Sequence, residues 1–260
     1  AAGIPHTILS ERSAPDRIGT AIQVAFRDRM PHVILAPPRV IEEGGCSPGS
    51  PGTATPPCRP APLSYRREWK DPVLTRFEAI RAIAGQVSGE VLVSNIGVPS
   101  KELYAAQDRP ENFYMLGSYT QASAIGLGIA CVCPEKRVVV LDGDGSLLGS
   151  SILPVVAAAE PQNLTIICLD NGVFGSTGNQ PRPGCDTADL RLMALGAGFA
   201  HTWTAHTREE LGAAIHASAG QGPAFIHARI KPGNSDVKNI PLGPTEIRDR
   251  FMAVLKRGSG

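Results

Sequence analysis

Short, continuous apolar runs alternate along the chain with longer stretches in which apolar residues recur every three or four positions. The continuous runs predict buried β-strands at residues 90–94, 137–141, 164–169 and 224–230. The helical periodicity predicts α-helices at residues 120–131, 147–160, 187–196, 208–219 and 244–256. This alternation predicts an α/β fold with a doubly wound, mainly parallel sheet that carries helices on both faces.

A capping-box pattern marks the start of one further helix. Thr75 is followed three positions later by Glu78, and Ile80, Ile83 and Val87 recur behind them at helical spacing. A helix is therefore expected to precede the first predicted strand of the sheet.

A stretch of mostly Gly, Pro, Ser and Thr divides the chain at residues 44–66, where we expect a linker. Before it, the pattern predicts one helix that opens near Ser13 and one strand at residues 32–36. One helix and one strand are too little for a domain. We therefore expect a small N-terminal segment at residues 1–43 and one main domain at residues 67–260.

The charge balance disfavours several classes of partner. The 25 Lys and Arg residues are matched by 24 Asp and Glu residues, so there is no broad basic field for nucleic acid or an anionic membrane surface. No apolar run reaches the ~20 residues that a bilayer crossing needs. We expect a soluble, cytoplasmic protein. The cysteines and histidines show no disulfide or zinc-site spacing.

Candidate chemistry lies just after two of the predicted strands, where open parallel sheets bind their ligands. The strand at residues 137–141 leads into Gly143-Asp144-Gly145, and a helix follows from near Ser146. Glycine lets the backbone come close to a ligand, and amides at a helix start can hold phosphate oxygens. This strand end therefore predicts a phosphate-binding turn.

The second strand end reads Asp170-Asn171-Gly172. Magnesium prefers hard oxygen ligands, and it commonly takes one or two from protein side chains. The Asp144 carboxylate, the Asn171 amide oxygen and the Val173 carbonyl could supply three.

Each motif alone is a common turn sequence, but the pair is specific. Gly-Asp-Gly, then 24 residues, then Asp-Asn, with each motif closing a strand, resembles the diphosphate-binding domain of thiamine diphosphate enzymes. That family usually has Asn-Asn at the second motif, so Asp170 departs from it, whereas Asn171 is retained. The resemblance implies thiamine diphosphate as cofactor and Mg²⁺ held by Asp144, Asn171 and Val173. The implied cofactor contacts are Gly117, Ser118, Tyr119, Gly143, Asp144, Gly145, Ser146, Asn171, Val173 and Phe174.

A nicotinamide-dinucleotide domain is the competing reading of the first motif. Residues 143–149 superficially resemble the glycine fingerprint of such domains, and Asp170 lies about 25 residues further on. The fingerprint fails at its third glycine, because Leu148 occupies a position where a side chain obstructs the approach of helix and strand.

Longer stretches between residues 75 and 252 resemble the beta subunits of sulfopyruvate decarboxylases. They are VSNIGVPSKELY (93–104), NFYMLGS (112–118), ASAIGLGIA (122–130), GSTGNQP (175–181) and KPGN (231–234). Phosphonopyruvate decarboxylases share the first half of this set. The resemblance implies non-oxidative decarboxylation of a 2-oxo acid, most directly sulfopyruvate to sulfoacetaldehyde. A phosphonopyruvate decarboxylase-type activity is the alternative.

The resemblance also assigns roles around the cofactor. The Gly117 position would offer a carbonyl to the aminopyrimidine, and the residue at Tyr119 would wedge the cofactor into its bent shape. Tyr119-Thr120 departs from the usual Met, Leu or Ile followed by Gly. The acidic groups of the substrate need cationic or amide donors. The candidates are Asn179, Gln180, Arg182 and Lys231, while Ser94 and Asn95 could also line the site.

Half of such a site is expected from a partner domain, which supplies the glutamate that activates the cofactor. Residues 1–43 resemble only the C-terminal end of that domain, and Glu11, Glu42 and Glu43 do not match the glutamate's motif. We therefore expect an alpha-type subunit or a homo-oligomer to complete the site. A cofactor-binding subunit that is inactive alone is the other hypothesis.

Overall fold

The computed structural model describes residues 5–10, 14–37 and 69–256. The chain divides into two units between residues 67 and 68. The predicted linker at residues 44–66 lies outside the described residues, as do Glu11, Glu42 and Glu43.

A β-α-β element is described in the first unit. Strands β1 (His6–Ile8) and β2 (Val33–Leu35) are parallel and are joined by helix α1 (Ala14–Asp28). The sequence predicted α1 and β2 but missed β1, because β1 reads His-Thr-Ile and has only one aliphatic residue, whereas β2 reads Val-Ile-Leu.

Six parallel strands form the sheet of the second unit. They are β3 (Val91–Ser94), β4 (Asn112–Tyr114), β5 (Val138–Gly143), β6 (Leu164–Asp170), β9 (His201–Ala205) and β10 (Ala224–Arg229). Their order is β4-β3-β5-β6-β10-β9, and every pairing is parallel. A short antiparallel pair, β7 (Val173–Phe174) and β8 (Gln180–Pro181), follows β6. The four strands predicted from apolar runs are β3, β5, β6 and β10.

Helices cover both faces of this sheet, as predicted. They are α2 (Arg76–Ala84), α3 (Val98–Ala106), α4 (Ala122–Val132), α5 (Asp144–Ser150), α6 (Leu153–Ala159), α7 (Leu190–Ala197), α8 (Arg208–Ala217) and α9 (Pro244–Lys256). Leu92 of β3 belongs to one buried cluster with residues of α2, α3 and α8. Its neighbours Val91 and Val93 belong to the other, with residues of α4, α5, α6 and α7. Alternate strand residues therefore build two cores, which confirms the doubly wound α/β class.

The ends of the second unit also follow the sequence pattern. The capping box forms at the start of α2, where the Glu78 N–H donates to Thr75 Oγ1 at 3.2 Å and the Thr75 N–H donates to Glu78 Oε2 at 2.8 Å. The last helix, α9, packs beside edge strand β4, with the Phe251 and Phe113 ring centroids 5.2 Å apart. None of the helices in the described part of the chain is long and apolar enough to cross a bilayer.

One predicted helix was wrong. Residues 147–160 form the end of α5 and all of α6, because Ser151 takes a left-handed conformation with φ 51° and interrupts the helix. Pro154 in the first turn of α6 suits a helix start and not a helix interior. Helix α3 and the strands β4 and β9 were not predicted.

The strand order sets where a ligand can bind. β3 pairs with β4 on one side and with β5 on the other, so the winding direction reverses between β3 and β5. Open α/β sheets bind ligands in the crevice outside the carboxyl ends of the strands at such a switch point. The turns after β3, β5 and β6 are therefore the expected walls of a site.

Candidate functional site

A cavity of about 490 Å³ opens at the carboxyl ends of β3, β5 and β6. Its walls come from the start of α2, the turn between β3 and α3, the turn between β5 and α5, and the segment that follows β6. The lining residues are Arg76, Asn95, Ile96, Pro99, Tyr119, Gly143, Asp144, Gly145, Ser146, Leu169, Asn171, Val173, Phe174, Gly175, Ser176 and Thr177. Both strand-end motifs of the sequence therefore meet in one cavity.

The turn after β5 is held from beneath by Asp142, which is fully buried. Its carboxylate accepts from the Ser123 hydroxyl at 2.5 Å and from the Gly143 N–H at 2.9 Å. Burial raises the pKa of Asp142 above its ordinary value, although these hydrogen bonds oppose the shift. These contacts fix the direction in which the chain enters α5 and presents Asp144.

Gly145 lies against two aromatic rings that leave little room for a side chain. A Cβ atom at Gly145 would lie 2.6 Å from Cε1 of Phe174 and 3.2 Å from the Tyr119 hydroxyl oxygen. Contacts as short as the first essentially never occur for a real Cβ atom. The first turn of α5 therefore lies directly against these two rings at the cavity wall.

The turn after β6 presents amide and carbonyl oxygens. The Asn171 side-chain oxygen accepts from the Val173 N–H at 3.2 Å, and the Val173 carbonyl accepts from the Gly175 N–H at 3.1 Å. Each of these oxygens keeps a second lone pair. Because β5 and β6 are adjacent, with Gly143 level with Leu169, Asp144 and Asn171 leave neighbouring strand ends.

Arg182 lies beneath this arrangement with its side chain only 1% exposed. Its Nε donates to Asp144 Oδ2 at 2.5 Å, and its Nη2 lies 3.5 Å from Asp170 Oδ1. Asp170 Oδ2 is also 2.8 Å from His227 Nε2. Two buried carboxylates at the ends of β5 and β6 therefore share one guanidinium.

The two carboxylates differ in their affinity for a proton. Burial and the negative charge of Asp170 raise the pKa of Asp144 to about 7, against the opposing effect of Arg182. Burial acts in the same direction on Asp170, but the hydrogen bond and charge of His227, together with Arg182, lower the pKa of Asp170 to about 2. The pKa values of two close carboxylates differ in this way because the negative charge of one disfavours ionisation of the other.

The structure brings most of the predicted cofactor residues together. Eight of the ten line the cavity, and they are Tyr119, Gly143, Asp144, Gly145, Ser146, Asn171, Val173 and Phe174. Gly117 and Ser118 are exposed and are not among the lining residues. Asn95 lines the cavity, whereas Ser94 is buried in β3 and shares a hydrogen bond of 2.7 Å with Ser100.

The four predicted substrate residues do not reach the cavity wall. Asn179, Gln180 and Lys231 are exposed, and the Gln180 amide is bound to Thr177. Arg182 is buried against Asp144, so a role in support of that carboxylate accounts for its position better than substrate binding does.

Sequence reasoning missed Arg76, Asp142 and His227. Arg76 carried a signal that could have been used, because a cation in the first turn of a helix opposes the helix dipole and calls for a specific partner. Asp142 and His227 lie inside strands β5 and β10, where only the paired structure reveals their partners.

Comparison with known proteins identifies the family of this domain. The protein family described as "Thiamine pyrophosphate enzyme, C-terminal TPP binding domain" matches residues 96–228, which cover the cavity turns after β3, β5 and β6. The chain belongs to this family. Leu148, which broke the dinucleotide fingerprint, lies within the matched range.

Several relatives in the family are similar over long stretches. Sulfopyruvate decarboxylase of Methanosarcina acetivorans is 38% identical over 98% of this chain and 67% of its own length. Sulfopyruvate decarboxylase subunit beta of Methanothermobacter thermautotrophicus is 45% identical over 69% of this chain and 95% of its own length. Phosphonopyruvate decarboxylase of Streptomyces viridochromogenes is 38% identical over 69% of this chain, but over only 46% of its own length.

The fold is shared with a solved structure. A Mycobacterium smegmatis enzyme assigned as thiamin diphosphate-dependent superposes with a TM-score of 0.51 at 19% identity, over 68% of this chain. The chain spans 36% of the length of that protein. This likeness concerns the fold alone.

The donor atoms of the cavity fit a magnesium-bound diphosphate. Asp144 offers a carboxylate whose Oδ2 is bound to Arg182, and Asn171 and Val173 offer neutral oxygens with lone pairs to spare. Gly145 adds no side chain of its own to this wall, where Phe174 and Tyr119 lie close to its backbone. The assignment of these residues to metal and cofactor stays a prediction that the geometry favours.

Proposed function

We propose that this chain is the beta-type half of a thiamine diphosphate- and Mg²⁺-dependent 2-oxo acid decarboxylase that acts on sulfopyruvate. The convergence of the Gly143-Asp144-Gly145 and Asp170-Asn171 turns in one cavity carries the proposal. Relatives named sulfopyruvate decarboxylase, at 38% and 45% identity, support the substrate.

Binding and orientation are the tasks of this chain's residues. Asp144 and Asn171 would hold Mg²⁺, and the backbone after Gly143 would receive the diphosphate. Phe174 and Tyr119 close over the first turn of α5 and would exclude water on that side. When bound, the cofactor supplies the carbon nucleophile and the electron sink of the decarboxylation.

A second polypeptide segment would complete the site. Tyr119 on the cavity wall is 51% exposed, and Leu116 close by in the chain is 46% exposed, so apolar surface is left open beside the cavity. The name "subunit beta" of the Methanothermobacter relative supports an alpha-type partner. The longer Methanosarcina relative matches nearly all of this chain, which favours residues 1–43 as part of a further, fused domain.

Phosphonopyruvate is the second candidate substrate. Phosphonopyruvate decarboxylases of two Streptomyces species are each 38% identical over 185 residues, although this chain spans 46% of their length. Sulfonate and phosphonate are both tetrahedral oxyanions, so the same donors could receive either.

Turnover by the reconstituted protein tests the proposal. The purified chain is assayed alone and with a candidate alpha-type subunit, with sulfopyruvate or phosphonopyruvate, and release of carbon dioxide is followed. Thiamine diphosphate- and Mg²⁺-dependent turnover of sulfopyruvate that requires the partner is expected. Preference for phosphonopyruvate would favour the second candidate. Cofactor binding without turnover of either acid would favour an inactive cofactor-binding subunit.

A further inference from the structure

Arg76 presents unused donors to the cavity. The residue is only 6% exposed, yet it lines the cavity wall. Its Nε and Nη2 donate to the Glu102 carboxylate at 2.8 and 3.2 Å, and Nη2 also donates to Asn234 Oδ1 at 2.9 Å. Nη1 has no hydrogen-bond partner among the described residues. A buried guanidinium with two free N–H groups at a cavity wall is suited to an oxyanion.

The orientation of Arg76 is fixed by its partners. Glu102 on α3 is fully buried and also accepts from the Ser235 N–H at 3.2 Å. Asn234 donates to the Gly175 carbonyl at 2.6 Å, and Gly175 is itself part of the cavity wall. These contacts position the guanidinium through Nε and Nη2 alone. The ion pair with Glu102 therefore does not by itself account for the free N–H groups of Nη1.

The start of α3 adds no free backbone donor to this wall. Ile96 and Pro99 line the cavity there, but the Ile96 N–H donates to Asn95 Oδ1 at 2.8 Å and proline has no N–H. The unused donors of this wall are therefore those of Arg76 Nη1.

We propose that Arg76 Nη1 forms an oxyanion subsite of the cavity. The ligand is a tetrahedral group with several charged oxygens, because such a group can accept from both N–H groups of Nη1 at once. The inference rests on the proposed function, which offers two sources of this chemistry. One is the sulfonate of the substrate, and the other is the diphosphate of the cofactor.

Two substitutions separate binding from structure. Arg76→Gln removes the free donors and the charge, whereas Glu102→Gln weakens the ion pair and keeps the guanidinium. Each variant is combined with the partner subunit, and the KM for sulfopyruvate, the Kd for thiamine diphosphate with Mg²⁺, and the Tm are measured. Loss of a charged hydrogen-bonding group predicts a rise of about 10- to 100-fold in the affected constant for Arg76→Gln. Arg76→Lys, which keeps a charge and loses the fork, should fall between.

The pattern of changes decides the outcome. A rise in KM that Glu102→Gln does not share identifies the sulfonate, and a corresponding rise in the Kd for the cofactor identifies the diphosphate. Similar changes in both variants, in step with a fall in Tm, would show a structural ion pair and overturn the subsite. If the wild-type complex binds the cofactor but does not turn over sulfopyruvate, the proposed function fails, while the cofactor Kd of Arg76→Gln still tests the subsite.

Discussion

Arg182 donates from Nε to Oδ2 of Asp144 at 2.5 Å, beneath the floor of the cavity. The carboxylate that the sequence assigns to the metal is therefore oriented by a buried cation. Ligating carboxylates are commonly held by such a second hydrogen bond. This contact explains why a residue that resembled a substrate ligand by its motif lies inside the protein.

Removal of Arg182 should destabilise the fold. Arg182→Met leaves Asp144 and Asp170 buried without their shared counter-ion, and the free energy of unfolding should fall by about 3 kcal/mol. Urea denaturation of the full chain measures the change. Mg²⁺ should restore part of the loss, because a divalent cation supplies positive charge to the same carboxylates.

The control for this experiment is an exposed ion pair. Arg248 and Asp249 are 63% and 61% exposed, so Arg248→Met should cost no more than about 1 kcal/mol. If the two substitutions cost the same, the buried network contributes nothing beyond a surface pair.

A methyl group at Gly145 should weaken cofactor binding. Gly145→Ala forces the Phe174 ring away from its position 2.6 Å from the new Cβ atom, and the ring can move only into the cavity or out of its packing. The Kd for thiamine diphosphate with Mg²⁺ should rise by about tenfold or more, since one lost interaction of ~1.4 kcal/mol has that effect.

Gly128→Ala is the matched control in helix α4. A Cβ atom there meets nothing within 4 Å, so the fold should gain ~0.5–1 kcal/mol from helix propensity. Cofactor affinity should stay unchanged. An unchanged Kd in Gly145→Ala would mean that Phe174 does not form part of the wall of the cofactor site.

Glu210 should give stability that depends on pH. The hydrogen bonds from Lys70 and from the His206 N–H lower the pKa of Glu210 to about 2 in the folded protein, from an ordinary value of 4.5. A lowered folded pKa contributes stability above pH 4.5, and this is lost as the pH falls toward 2. The pair is partly exposed, so Glu210→Gln should cost about 0.5 kcal/mol near pH 7 and less at pH 3. Urea denaturation at both pH values tests this, and a difference that grows at pH 3 would contradict the sign.

The central strands could be predicted because both of their faces are buried. β5 and β6 read as largely apolar runs, with Thr165 as the one polar residue before Asp170 in β6, and the polar residues that follow them could be assigned to one edge of the sheet. β4 and β9 were missed because they are the edge strands. β9 is only half-buried along most of its length, and β4 is three residues long.

The network under the site could not be predicted, because it joins residues far apart in sequence. Asp144 and Arg182 are 38 positions apart, and Asp170 and His227 are 57 positions apart. The pairing depends on strand order, which places β10 beside β6. A motif can indicate which residues are polar at a strand end, but not which buried cation lies beneath them.

The most direct test of the account is calorimetric titration of thiamine diphosphate into the full chain with Mg²⁺, alone and with a candidate alpha-type subunit. Asp144→Ala is compared with Asp249→Asn, a substitution of an exposed carboxylate. We predict Mg²⁺-dependent binding that tightens with the partner, is retained in Asp249→Asn and is lost in Asp144→Ala. Binding of equal strength in Asp144→Ala, or no binding by the wild-type chain under either condition, would contradict the assignment of this cavity to the cofactor.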